Sequence, residues 1–255
     1  VCRQAGAKMK KGPVMPLTLT FSLKDVDAWP DVRTLKIYQA FRRHRKVYPL
    51  PSHSLALFAL PEKGEVYANV TRVFGDASKV EDLTRAEIEG KRQVMRAIEF
   101  YRKYLPGYQQ AKLKSFGIEI GTRESWRLAG RYTLTRRDVL SGRDFPDAVA
   151  RAAYGIDIHN SHGPGGIMIH LKPGTSYAIP YRCLLPEKVE GLLVAGRCLS
   201  ASRQALGSLR VMVTCMATGQ AAGVAAALAA REKVVPSRLN ISRLQEHLLR
   251  QGVIL

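Results

Sequence analysis

Apolar and polar residues alternate over 14–21 (VMPLTLTF), the period of a strand with one face buried. Two more apolar runs, 54–60 and 65–71, flank Pro61-Glu62-Lys63-Gly64. A four-residue connection bearing Pro and Gly between such runs predicts a β-hairpin. From Thr84 the period becomes helical. Glu87 completes a capping-box pattern, Val94, Ile98, Tyr101 and Leu105 fall on one face, and Pro106-Gly107 stops the run. Arg85, Glu89, Arg92, Arg96 and Lys103 make the other face a solvated one. Short strands are predicted over 117–121, 155–159 and 177–181, and short helices over 135–140 and 145–154, the second opened near Pro146. An amphipathic helix over 236–249 is expected to be capped by Ser237 or Asn240 and to stop near Gly252.

The most informative segment is 191–230 (GLLVAGRCLSASRQALGSLRVMVTCMATGQAAGVAAALAA). It predicts a buried strand over 192–195, a glycine turn, a polar loop, a second glycine and a long helix. A strand-to-helix passage with glycine at its start aims backbone N–H groups and a positive helix end at an anionic or electron-rich ligand. Ala217, Gly219, Ala221, Ala222, Gly223, Ala225, Ala226 and Ala227 keep the helix small-sided, able to approach a sheet or a cofactor closely. Residues 211–230 carry no charge and are long enough to span a membrane. Their composition, mainly Ala, Gly, Thr and Met with a Gln, favours a buried helix instead. The GxxxG-like pair Gly219 and Gly223 occurs in both settings.

Charge changes the picture. Forty Lys and Arg stand against 21 Asp and Glu, a net charge of +19, and raise a basic nucleic-acid-binding reading. The dense run is only Arg42-Arg43-His44-Arg45-Lys46, with no zinc spacing, RNA-binding strand signature or helix-turn-helix pattern beside it. A solvated surface serving an anionic small molecule explains the excess as well, so no specific nucleic acid is expected. Hydrophobic content of 46% and charged content of 24% exclude disorder, and 255 residues allow one large domain or two smaller ones. Cys2, Cys183, Cys198 and Cys215 share no metal-ligand spacing and are expected as small core residues, with no metal. The first residues are basic and lack the apolar stretch of a signal peptide, so a reducing cytoplasm is the expected location.

The stretch GLLVAGRCLSASRQALGSLRVMVTCMATGQAAG resembles the C-terminal flavin signature of the FAD-dependent oxidoreductases of the glutathione-reductase-like superfamily. The likeness continues in order through VMPLTLTFSLKDVD, EVYANVTRVFGDASKVEDLTRAEIEGKRQ, IEIGTRESWRLAGRYTLTRRDVLSGRDFPDAVARAAYGIDIHN and YAIPYRCLLPEKVEGLLVAGRCLS. It implies an α/β fold with an α+β substrate domain and a partial Rossmann-like FAD-binding domain completed by the C-terminal strand and helix. On that reading 1–180 form the substrate-binding cap, 181–233 the returning strand and helix, and 234–255 a terminal helix. Members begin with a strand, a GxGxxG turn and a helix that hold the ADP half of FAD. This sequence has no GxGxxG after an apolar strand, which implies a chain shortened at its N-terminus or, less simply, a separate chain supplying that half.

The resemblance places Gly196 and Arg197 at the ribityl and pyrophosphate region of FAD. It places Gly207, Ser208, Leu209 and Arg210 in a turn against the isoalloxazine ring, with Val211 and Met212 opening the helix. Reduced flavin carries negative charge near N1 and O2, which a helix N-terminus stabilises. For chemistry, His159 ends a predicted strand with Asn160 beside it and is the acid/base candidate, histidine being the side-chain type suited to that work. Arg123 could hold an anionic or carbonyl group of a small organic substrate, with Glu124 as its partner. Tyr181 and Arg182 lie on a strand returning toward the FAD domain. His44, His53, His162 and His170 have weaker claims. A non-catalytic binding or scaffold fragment without FAD is the alternative that the missing fingerprint leaves open.

Overall fold

The structure is a computed structural model and describes residues 1–47, 51, 55–163 and 165–255. His53 and Ser54 of the reading above lie outside the described residues. The chain forms two compact units. One gathers Val14–Arg123 and His159–Gly165; the other gathers Val1–Pro13, Glu124–Ile158 and Gly166–Leu255.

The unit of Val14–Arg123 is a four-stranded antiparallel sheet with two helices. In chain order it runs β2 (Phe21–Lys24), α1 (Leu35–His44), β3 (Leu57–Ala59), β4 (Val66–Ala68), α2 (Val80–Tyr104) and β5 (Lys112–Phe116), with sheet order β3-β4-β2-β5. The hairpin of β3 and β4 forms as its turn residues predict, with Phe58 opposite Tyr67. The strand expected over 14–21 lies further on, at Phe21–Lys24; Leu17 and Thr18 make only isolated bridges, to Val73 and Gly121. The strand expected over 117–121 forms earlier, at Lys112–Phe116, where it can pair with β2. Helix α2 begins a turn before Thr84, with Glu81 and Asp82 in its first turn, where negative charge favours the helix dipole. Thr84 is therefore an interior residue. The predicted face is buried at Val94, Ile98, Tyr101 and Leu105. It closes a core with Leu19, Phe21, Leu23, Ile37, Phe41 and Tyr108.

The other unit carries β1 (Met9–Lys11) paired with β6 (Trp126–Leu128), and β7 (Ala148–Ala152) paired with β10 (Tyr177–Pro180), both antiparallel. Strand β8 (Ile156–His159) pairs with β9 (Gly166–Ile169). Helices α3 (Arg136–Ser141), α4 (Arg203–Leu209), α5 (Met212–Glu232) and α6 (Ile241–Arg250) complete it. Thr135 and Asp138 close a capping box on α3. Of the two caps expected for the last helix, Asn240 is the one used: its side chain accepts from Arg243 N at the start of α6. Ser237 lies earlier, in a 3-10 turn, and its hydroxyl donates to Glu190.

Three expectations fail in this unit. Residues 145–154 are strand, not helix, over Ala148–Ala152: four of these five side chains are buried, and pairing with Tyr177–Pro180 overrides the helix preference of Ala and Arg. Tyr181 and Arg182 stand just past β10, in a 3-10 turn over Tyr181–Cys183, rather than on a strand. Residues 192–195 form no ladder among the described residues, although Val194 N donates to Leu184 O at 2.9 Å. The isolated bridge Leu134↔Ala201 is parallel. The core here joins β7, β10, α5 and α6 through Val149, Ile179, Ala221, Ala225, Leu244 and Leu248. Helix α5 is long and apolar enough to cross a membrane by length and composition alone.

Candidate functional site

The predicted cofactor residues divide into an open group and a buried one. Val211 caps α5 without a side-chain hydrogen bond, and no acidic residue occupies the first turn. The first N–H groups of this helix are therefore met by no capping side chain, which leaves a positive helix end. Met212 and Val213 beside it are exposed. A single turn of 3-10 helix, Gly196–Cys198, lies against the start of α5. Gly196 adopts φ +71°, a conformation that favours glycine, and its N–H donates to Thr218 Oγ1 at 3.1 Å. Thr218 Oγ1 in turn donates to Thr214 O at 3.0 Å. Arg197 is exposed on this turn.

The turn expected at 207–210 is helical. Gly207, Ser208 and Leu209 are buried within α4, and Arg210 is its C-cap. A Cβ on Gly207 would stand 2.9 Å from Asp157 O and 3.1 Å from Ile158 Cγ1, so glycine here permits close packing of α4 on β8. Ser208 Oγ donates to Tyr154 O, which leaves it to accept from the Tyr177 hydroxyl. Burial pushes the Tyr177 phenol up to about 12. Arg210 forms an ion pair with Asp157 at 2.8 Å and donates to Asp157 O at 3.1 Å.

In the unit of Val14–Arg123, His159 Nδ1 lies 2.9 Å from a guanidinium nitrogen of Arg72. Asn160 N donates to Gly165 O at 3.1 Å, and its Oδ1 accepts from His162 N at 3.1 Å, so its side chain shapes the loop. Arg123 donates to Pro16 O and to Thr18 Oγ1, each at 2.6 Å.

Glu124, Tyr181 and Arg182 belong to the other unit. Glu124 is buried and forms ion pairs with Arg127 at 3.2 Å and Arg203 at 3.3 Å. Tyr181 is buried, donates to Pro236 O at 3.0 Å, and burial raises its phenol to about 12. Arg182 grips Asp147 with two nitrogens, at 2.9 and 3.0 Å, and lies over the Tyr132 ring. That two-point ion pair raises the Arg182 pKa. Of the cysteines only Cys183 is fully buried, its thiol pushed up to about 12 by burial; Cys198 is exposed, contrary to the core role expected of it.

The family model described as FAD dependent oxidoreductase matches residues 4–248. The chain belongs to this family. FAD is accordingly its cofactor, and its general activity is that of an FAD-dependent oxidoreductase. No curated protein and no solved structure matches the chain. The residues present fit the group at one place: an uncapped helix end, a glycine of positive φ and an exposed arginine, Arg197, beside it. Sequence reasoning misses Arg72 and Gln93. A lone arginine at the end of an apolar run carries no periodic signal, and only the fold brings it to His159.

Proposed function

We propose that this chain supplies the flavin-ring side and the substrate-handling residues of an oxidoreductase acting on a small organic molecule. When bound, FAD supplies the acceptor for a hydride or electrons. Gly196, Arg197, Val211 and Met212 would hold it, with the positive end of α5 stabilising negative charge on the reduced ring. His159 would hold or give a proton, and Arg123 would orient an anionic or carbonyl group of the substrate. The observation that carries this reading is the open amino end of α5, with neither a capping side chain nor an acid in its first turn.

We also infer that a segment carrying GxGxxG, in the same or a separate chain, completes the Rossmann-like domain. The lack of a strand ladder at 192–195 among the described residues and the exposed Met212, Val213 and Met216 support this. The test is coexpression with such a segment followed by a visible spectrum. Flavin bands in the purified complex, weakened by Arg197→Gln, are the expected result; a colourless complex would count against the reading. Arg42 and Arg43 of the basic run lie in the last turn of α1, where the helix dipole favours cations.

A further inference from the structure

The backbone of Arg72 is clamped from both sides by one buried amide. Gln93 Oε1 accepts from Arg72 N at 2.8 Å, and Gln93 Nε2 donates to Arg72 O at 3.0 Å. Gln93 lies on α2, so the base of Arg72 is anchored to the helix that closes this unit's core. From there the guanidinium reaches His159, Gly163 and Gly165. One nitrogen donates to Gly163 O at 3.0 Å; another donates to Gly165 O at 3.0 Å and lies 2.9 Å from His159 Nδ1. A guanidinium has donors only and stays charged. Nδ1 must therefore accept, and the proton of the neutral imidazole must sit on Nε2.

We propose that Arg72 is the positioning residue for His159, fixing its imidazole as the Nε2–H tautomer. In that tautomer Nε2–H is the ring's one nitrogen donor. Taking a second proton at Nδ1 would require Arg72 to let go. The catalytic use of this arrangement rests on the reading of His159 given above; the tautomer does not.

The experiment is a multiple-bond proton–nitrogen NMR spectrum of the full chain labelled with 15N-histidine, with His159 assigned by the signal lost in His159→Gln. Wild-type protein is expected to show Nε2 protonated and Nδ1 as a bare acceptor. Arg72→Met should let the two nitrogens move toward an exchanging mixture, and Arg72→Lys should restore part of the wild-type pattern. A proton on Nδ1 in the wild type, or a pattern unmoved in Arg72→Met, overturns the proposal. The wild-type spectrum decides even if Arg72→Met does not fold. A colourless reconstituted complex would sink the function proposed above and leave this result standing.

Discussion

The two long helices, α2 and α5, obey opposite rules. In α2 large side chains fill one face, Phe100 and Tyr101 among them, and the glycine at its centre is pressed into the core: a Cβ on Gly90 would stand 3.1 Å from Leu19 Cβ. In α5 the buried positions are Thr214, Thr218, Ala221, Ala225, Leu228 and Ala229, while Met212, Val213 and Met216 face outward. Its glycines, Gly219 and Gly223, have nothing within 4 Å of where a Cβ would be. The GxxxG-like pair therefore makes no close approach within the described residues. A helix whose buried face is made mostly of small residues and whose first turns turn Met212, Val213 and Met216 outward is shaped by something besides its own core.

The largest effect expected from this contrast is on α2. Tyr101→Ala should destabilise by about 3–5 kcal/mol, as deletion of a buried aromatic ring does, measured by denaturant unfolding. A loss below about 1 kcal/mol would mean that the aromatic face is not the core it is taken to be. On α5 the opposite change is harmful. Ala221 is fully buried, so Ala221→Leu should overpack and lose about 1–3 kcal/mol, and a neutral result would show that small residues are not required there.

The glycines sharpen the comparison further. Gly219→Ala adds helix propensity and meets no atom, so it should stabilise by about 1 kcal/mol. Gly90→Ala gains the same propensity but crowds Leu19 and Ile120, and should come out destabilised by about 1 kcal/mol. Thermal unfolding of the pair reads the difference, and equal shifts of one sign would break it.

What is legible in the sequence follows from the same physics. The β3–β4 hairpin can be read because its turn residues act locally, and the buried face of α2 because large apolar residues repeat at helical spacing. Strand β7 cannot, because Ala148-Val149-Ala150-Arg151-Ala152 has helix formers and its pairing with Tyr177–Pro180 is distant in sequence. Gly207 misleads for a related reason: a glycine that relieves packing against Asp157 looks the same, in sequence, as one that makes a turn. Of the candidate site, the open start of α5 is legible from the helix pattern, whereas the contact of Arg72 with His159 joins residues far apart in the chain.

The smallest effect on stability should be the most informative about α5. Met216→Gln on α5 and Ile88→Gln on α2 both replace exposed apolar side chains, 73% and 50% exposed, and each should change stability by less than about 0.5 kcal/mol. They should separate in the completed flavoprotein. If the outward face of α5 receives the flavin or the segment that holds it, Met216→Gln removes roughly 1–2 kcal/mol of apolar burial and weakens FAD binding about tenfold. Ile88→Gln should leave it unchanged. Equal FAD affinity in the two variants, titrated by flavin fluorescence, would show that α5 is as ordinary as α2.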